Sequence, residues 1–506
     1  MRQNATICIT IYFLNIIEVP AKWVWRKFIM NDRLKFPLYC FSFFILITFF
    51  LSLKFSVYAE EPAQTLETQI TISDGQDASV LKDQYVSSKL TLTPGTQITI
   101  ESSSKIGSIY LIWDIPVPGW TLQADGKTST HGKNGFLHEY VVLDRPFESI
   151  TMQIPESGAV LCDITVLSPG TPPSNIQIWE PPLEKADLLL LSTHADDEHL
   201  FFGGTMPYYA GEKGLRVQLV YFCSHTMNEP YREHEKLNGM WLQGVKNYPV
   251  MGTFPDEYSM DLETALTQYN YDEAVQFIVT QLRRFQPLVV LGQDLNGEYG
   301  HGAHRLTAKA LTDAVQLSNQ PDYDSQTVEQ YGLWDVPKTY LHLYPENRIH
   351  MNWNIPLKRF GGQTALQMAD AGYKLHESQQ WCWFYVSDSY EYSCAEFGLF
   401  RSLVGPDVIG GDFMENLVPY DQQETTPAAQ ATTEQTTEEK TTKKRTTEEQ
   451  IIEKSHSKTS FITETATSKT KMASFDLSSI NIGVLIAGIA IIIIGFILII
   501  VCKQKR

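Results

Sequence analysis

The chain has 506 residues, with 58 acidic against 40 basic side chains and a formal net charge of −18. Nucleic acid rewards a concentrated basic surface, so this balance excludes it as a partner. An apolar share of 43% excludes a disordered chain, and the length suits two folded domains with appendages.

In chain order, residues 1–59 read as an N-terminal extension and a signal peptide. Pro37–Leu53 ("PLYCFSFFILITFFLSL") is apolar, follows Arg33 and Lys35, and leads to Val57 and Ala59. That is the layout of a secretory signal cleaved after Ala59, with Met30 its more usual start and an uncleaved anchor as the alternative.

Residues 60–175 are rich in Thr, Ser, Val and Ile in short alternations such as "KLTLTPGTQITI" and "SITMQI", interrupted by turn signals. Short strands at regular spacing predict a β-sandwich. Trp113 and Trp120 fit either its core or a sugar-stacking surface. "SPGTPPSN" (Ser168–Asn175) then reads as a linker.

The pattern switches over residues 176–421. "ADLLLLST" is a continuous apolar strand, followed by a helical stretch, the strand Arg216–Phe222, two helices, and the buried strand Pro287–Gly292. Alternating strands and helices predict a Rossmann-like α/β domain with a parallel sheet covered on both faces. Ligands of such sheets sit beyond the carboxyl ends of the strands.

Residues 422–478 form a Thr, Glu and Lys tract that cannot bury a core and reads as a stalk. Residues 479–506 carry Ile482–Val501, an uncharged run of bilayer-spanning length, followed by Lys503, Lys505 and Arg506. The expected topology is a single-pass cell-membrane protein with a short cytoplasmic tail and its folded part extracellular. Of the seven cysteines, Cys162, Cys223, Cys382 and Cys394 lie in the folded region and form no CxxC pair, which disfavours a cysteine zinc site. Cys382 and Cys394 fit either a disulfide or two buried thiols.

Two strand ends carry the chemistry. His194, Asp197 and His304 are the residue types of an open zinc site, two imidazoles and a carboxylate. Asp196 is free to face away from the ligand Asp197 and act as a base, and His301 lies three residues before His304. Each piece alone has a plainer reading. An acidic run caps a helix, and a His-x-x-His pair in a Gly-rich loop is a turn. Both at strand ends of one α/β region make capping insufficient.

"THADDEHLFFGGT" resembles the first signature of the PIG-L/LmbE-like zinc de-N-acetylase family, and "GEYGHGAH" resembles its second. "YREHEKL" is similar to the family's Arg-x-x-Glu helix and "KLHESQQ" to its late His-x-Ser-Gln segment, so the likeness runs from about Ala186 to Asn416. The resemblance implies zinc on His194, Asp197 and His304, Asp196 as general base, and His301 as oxyanion stabiliser or acid. It places Arg232 and Asp256 at substrate-contact positions. Two residues depart from the pattern. Ala195 stands where the family has proline. Ala303 stands where it often has the aspartate that orients the catalytic histidine, which leaves His301 to find Glu298 or water.

The implied reaction is removal of acetyl from an N-acetylated amino sugar of GlcNAc type, with zinc as cofactor and a glycan or glycoconjugate as substrate. A zinc amidase on another amide and a catalytically weak glycan-binding surface protein are the alternatives. Glu198 is expected to orient a ligand or cap the helix, and His199 to support it. Trp381–Phe384 fits core packing or an aromatic platform near a sugar, and His342 and His350 read as structural histidines.

Overall fold

A computed structural model describes residues 61–423. The expected signal peptide, stalk and membrane helix fall outside the described residues. Among the described residues, no helix is long and apolar enough to cross a membrane.

The first part is β strands with one short 3-10 turn, Ala78–Lys82. Strands β1 (Gln69–Ile72), β2 (Leu90–Leu92), β3 (Gln97–Trp113), β4 (Thr121–Ala124), β5 (Lys127–Thr130), β6 (His138–Gln153) and β7 (Ala159–Leu167) pair antiparallel in one sheet. Its path runs β2-β7-β3-β6-β4-β5, with β1 on β3. The long strands β3 and β6 shift register between Glu101 and Ser108, the irregularity that lets a strand bend. Residues from both ends of β3, Ile98 and Trp113 among them, share one core, so the sheet folds over itself. Trp113 and Trp120 belong to that core. Both are fully buried and donate their indole N–H to Glu139 at 3.1 and 2.8 Å. Neither is a sugar-stacking surface.

The second sheet is built on β8 (Leu188–Ser192), β9 (Val217–Ser224), β10 (Val250–Pro255), β11 (Val289–Gly292), β12 (Lys338–His342), β13 (Arg348–His350) and β14 (Glu396–Ser402). The order is β10-β9-β8-β11-β12-β14-β13, parallel from β10 to β12. The expected parallel sheet thus continues into an antiparallel edge, because β14 returns between β12 and β13 and pairs antiparallel with both. The leucine run explains the centre. Leu188 and Leu190 enter the core on one face, and Leu189 and Leu191 the core on the other, as alternate strand residues must.

Helices cover both faces. In chain order they are α1 (Asp197–Leu200), α2 (Pro230–Leu242), α3 (Leu262–Gln268), α4 (Tyr271–Phe285), α5 (Gly302–Leu317), α6 (Ser325–Tyr331), α7 (Ala365–Tyr373) and α8 (Tyr420–Gln423). Leu237 of α2 and Met368 of α7 pack on one face, and Ile278 of α4 and Leu306 of α5 on the other. Chain order reverses between β8 and β11, so the switch point of the sheet lies between those two strands.

Contacts also join the two sheets' surroundings. Phe136 stacks on Tyr248 with centroids 4.5 Å apart, and the Tyr248 hydroxyl accepts the Leu137 N–H at 3.2 Å. His138 Nε2 meets His234 Nδ1 of α2 at 2.9 Å. The four described cysteines are free thiols, Cys162, Cys223 and Cys394 buried and Cys382 partly so. The thiol alternative for Cys382 and Cys394 is the one realised.

Helices α2 and α7 approach each other across His199. A Cβ on Gly239 would lie 2.4 Å from His199 Nε2, and one on Gly372 would lie 2.6 Å from His199 Cε1. In an open helix Gly→Ala stabilises by about 1 kcal/mol. At Gly239 the clash reverses the sign, and Gly239→Ala is expected to destabilise by about 1–3 kcal/mol. Denaturant unfolding checks this, and a raised midpoint would show that His199 yields without cost.

Candidate metal and catalytic site

The loop after β8 delivers the first cluster. Asp196 holds φ 115° and ψ −30°, a conformation that costs an L residue of order 1–3 kcal/mol. The loop is anchored on both sides of it. Glu198 Oε2 accepts the Asp196 N–H at 2.8 Å, and Arg232 on α2 donates to the Ala195 carbonyl at 2.7 Å. The strained turn sends the side chains of Asp196 and Asp197 to different partners. Burial raises the Asp196 carboxyl well above the ordinary range; Arg232 opposes this, while Asp197 and Glu198 reinforce it.

Asp197 turns inward. Its Oδ2 accepts the His194 backbone N–H at 2.8 Å and the Gln293 side-chain N–H at 3.0 Å. The same oxygen lies 3.2 Å from His194 Nδ1 and 3.2 Å from His304 Nε2, and those two nitrogens are 3.0 Å apart. His304 is the second residue after the start of α5, which begins where the loop after β11 ends. The triangle therefore spans the switch point of the sheet.

Glu298 Oε2 accepts from His304 Nδ1 at 2.7 Å, which turns Nε2 toward the triangle. His194 Nε2 faces Asp256 Oδ1 at 3.3 Å, which turns Nδ1 toward it. Two ring nitrogens and a carboxylate oxygen thus converge within 3.2 Å, and a cation in place of a shared proton would satisfy all three. Ligand atoms around a tetrahedral zinc are roughly 3.3 Å apart. The negative surroundings agree. Burial lowers His304, but Asp197 and Glu298 outweigh it and pull the imidazole up to about 10. His194, Asp197 and His304 fit a divalent metal.

His301 lies close enough to ligate, since one nitrogen each of His194, His301 and His304 falls within 4.8 Å of the others. Its Nδ1, however, accepts the Ala303 backbone N–H at 3.2 Å and caps α5. The proton therefore sits on Nε2, making that atom a donor rather than a ligand. Burial first, then the charges on His194 and His304, push this imidazole down to about 2. The partner expected for His301 was Glu298 or water. Glu298 instead bridges two other imidazoles, His304 and His342, the latter through Nδ1 at 2.8 Å.

Arg232 and Asp256 are brought to the site and to each other. Arg232 donates to Asp256 Oδ2 at 3.0 Å, and the same oxygen faces His225 Nε2 at 3.0 Å. Burial raises Asp256, but His194, His225 and Arg232 outweigh it and hold the carboxylate well below its ordinary range. The two later segments also meet. Glu235 of α2 accepts both the N–H and the hydroxyl of Ser378, at 2.7 and 2.6 Å. Fully buried Glu198 anchors the strained turn, and His199 Nδ1 takes a hydrogen bond from Gln243 at 2.8 Å. His350 is a surface residue paired with Glu396.

Sequence reasoning missed Gln293, His225 and the link from His342 to Glu298. Gln293 also accepts the Thr193 N–H at 3.0 Å, stitching the two loops together. It sits directly after β11, the one signal that pointed to it.

The fold and site together define a class: an α/β domain with a buried His-Asp-His donor set at the switch point of its sheet. Residues 189–315 match the family described as PIG-L: GlcNAc-PI de-N-acetylase, so the chain carries a PIG-L family domain. A 1D-myo-inositol 2-acetamido-2-deoxy-alpha-D-glucopyranoside deacetylase of Catenulispora acidiphila is 30% identical over 186 residues, 32% of this chain and 56% of the relative. The Streptomyces scabiei protein of that description is 29% identical over 184 residues, 31% of this chain and 56% of its own length. The chain thus spans about half the length of these relatives. An N,N'-diacetylchitobiose deacetylase structure from Pyrococcus horikoshii aligns at 20% identity and a TM-score of 0.31, covering 39% of this chain and 72% of its own.

A carboxylate behind a ligating imidazole fixes its tautomer and raises its basicity, and its loss costs about 10–100-fold in metal affinity. Glu298→Gln is expected to weaken divalent metal binding by that factor, measured by competition against a chelator. Unchanged affinity would remove the orienting role.

Proposed function

We propose that this protein is a zinc-dependent hydrolase that removes acetyl from an N-acetylated amino sugar of GlcNAc type. The observation that carries the reading is the convergence of His194 Nδ1, Asp197 Oδ2 and His304 Nε2 beside Asp196 and the Nε2–H of His301. The matched family and the relatives' names support the substrate class.

His194 Nδ1, His304 Nε2 and Asp197 Oδ2 would hold the zinc. The chemistry it supplies when bound is Lewis acidity, which makes water attack near neutral pH and polarises an amide carbonyl. Asp196, kept basic by burial, takes the proton of the attacking water. His301 donates from Nε2 to the oxygen on which negative charge develops. Arg232 and Asp256 line the site, paired with each other and positioned to contact sugar hydroxyls. The C–N bond breaks, the amine leaves with the proton held by Asp196, and acetate is released.

The remainder of the chain bears on where this site acts. The folded β sheet is read as an accessory sandwich. The apolar run Ile482–Val501 with its basic tail supports a single-pass anchor that leaves the catalytic domain outside the cell.

Acetate release from N,N'-diacetylchitobiose and from GlcNAc-inositol tests the reading, with and without chelator. The expected result is release that chelator abolishes and zinc restores. Asp196→Ala is expected to lower the rate about 10²–10⁴-fold while metal content stays at the wild-type level. Full activity in that variant removes the base assignment, and chelator-resistant release removes the metal.

A further inference from the structure

Six of the described tryptophans, Trp113, Trp120, Trp179, Trp241, Trp334 and Trp353, donate their indole N–H to an acceptor within the protein. Trp381 and Trp383 are the exceptions among the described residues. They are 83% and 61% exposed and make no such bond, so their N–H donors and the uncovered ring faces are open to a ligand. Exposed large aromatics two residues apart in the chain are a mark of a binding surface.

The patch is continuous with the site. Trp383 stacks on Phe384 with centroids 4.1 Å apart, and Phe384 meets Tyr299 at 4.5 Å. Tyr299 in turn abuts His301 and His304 at 5.7 and 5.9 Å. The segment is fastened down rather than loose. Asn354 donates to Asp388 at 2.6 Å, the Cys394 N–H to the Ser387 carbonyl at 2.9 Å, and Tyr373 meets the Cys382 thiol at 3.2 Å.

We propose that Trp381 and Trp383 form a sugar-stacking subsite, so that an extended N-acetylated oligosaccharide is preferred over a single amino sugar. The inference rests on the deacetylase reading. An acetamido sugar reacting beside His301 is separated from Trp383 by Tyr299 and Phe384, so only a neighbouring unit of the same glycan reaches the indoles. Pyranose rings offer flat C–H faces to aromatic rings, with hydroxyls at the edge for the indole N–H. A lipid surface fits less well. Residues 381–394 ("WCWFYVSDSYEYSC") carry Asp388 and Glu391 and no basic residue, the wrong sign for an anionic headgroup.

The test compares kcat/KM for acetate release from N-acetylglucosamine and from its β-1,4-linked tetramer, using the full chain and its Trp381→Ala and Trp381→Phe variants. Trp381 is exposed enough for the exchange to leave packing intact. The wild type is expected to favour the tetramer by about tenfold, Trp381→Ala to lose that preference, and Trp381→Phe to regain part of it. Equal rates on the two lengths, or an unchanged ratio in Trp381→Ala, overturn the subsite. A defect confined to a glycolipid substrate in phosphatidylcholine vesicles also overturns it and assigns the indoles to a lipid surface. If neither the single sugar nor the tetramer yields acetate, the deacetylase reading falls. Quenching of indole fluorescence by the tetramer then decides the subsite: quenching lost in Trp381→Ala upholds it, and no quenching overturns it.

Discussion

Oδ2 of Asp197 gathers the site. It accepts from the backbone of His194 on its own loop and from Gln293 beyond the neighbouring strand, and it faces ring nitrogens from both loops. A buried carboxylate is costly unless its lone pairs are met, and here the partners come from both sides of the switch point between β8 and β11. Satisfying one oxygen therefore fixes the register of two loops a hundred residues apart. Everything else at the site is arranged around that point.

Glu298 extends the same arrangement outward. It orients His304 from behind and reaches His342 on β12, tying α5 to the next strand of the sheet. With that carboxylate occupied, His301 takes its orientation from the backbone, as the N-cap of α5. A peptide N–H does the work that a side-chain carboxylate does in the family pattern. The tautomers differ. A carboxylate would accept a proton from Nδ1, whereas a peptide N–H requires Nδ1 to accept, and so fixes the donor at Nε2.

The motif residues were legible because they stand at strand ends, where an apolar run stops and ionisable groups begin. The leucines of β8 and the runs near β9 and β11 were legible for the same reason. The partners of those residues were not. Whether Glu298 faces His301 or His304 depends on the positive φ of 51° at Glu298 and the turn around it, which no periodicity encodes. The antiparallel edge was hidden because β13 is only three residues long and the whole stretch 351–395, helix α7 included, separates it from β14. The tryptophans show the limit most clearly. Trp113 and Trp120 are buried and Trp381 and Trp383 exposed, yet both pairs sit in similar aromatic, polar-interleaved stretches. Indole composition says nothing of which side of a surface the ring will occupy.

The ring and hydrogen-bond contacts of Phe136, Leu137 and His138 with Tyr248 and His234 have a bearing on how the molecule comes apart. Phe136 and Leu137 count among the residues of the α/β core although they lie ahead of the linker Ser168–Asn175. A chain cut at that linker would bare the Tyr248 ring and leave His234 without its neighbour, exposing an aromatic face to water. The β sheet is thus a wall of the deacetylase-like half and not a module hung from it. The two should melt together, in one cooperative transition.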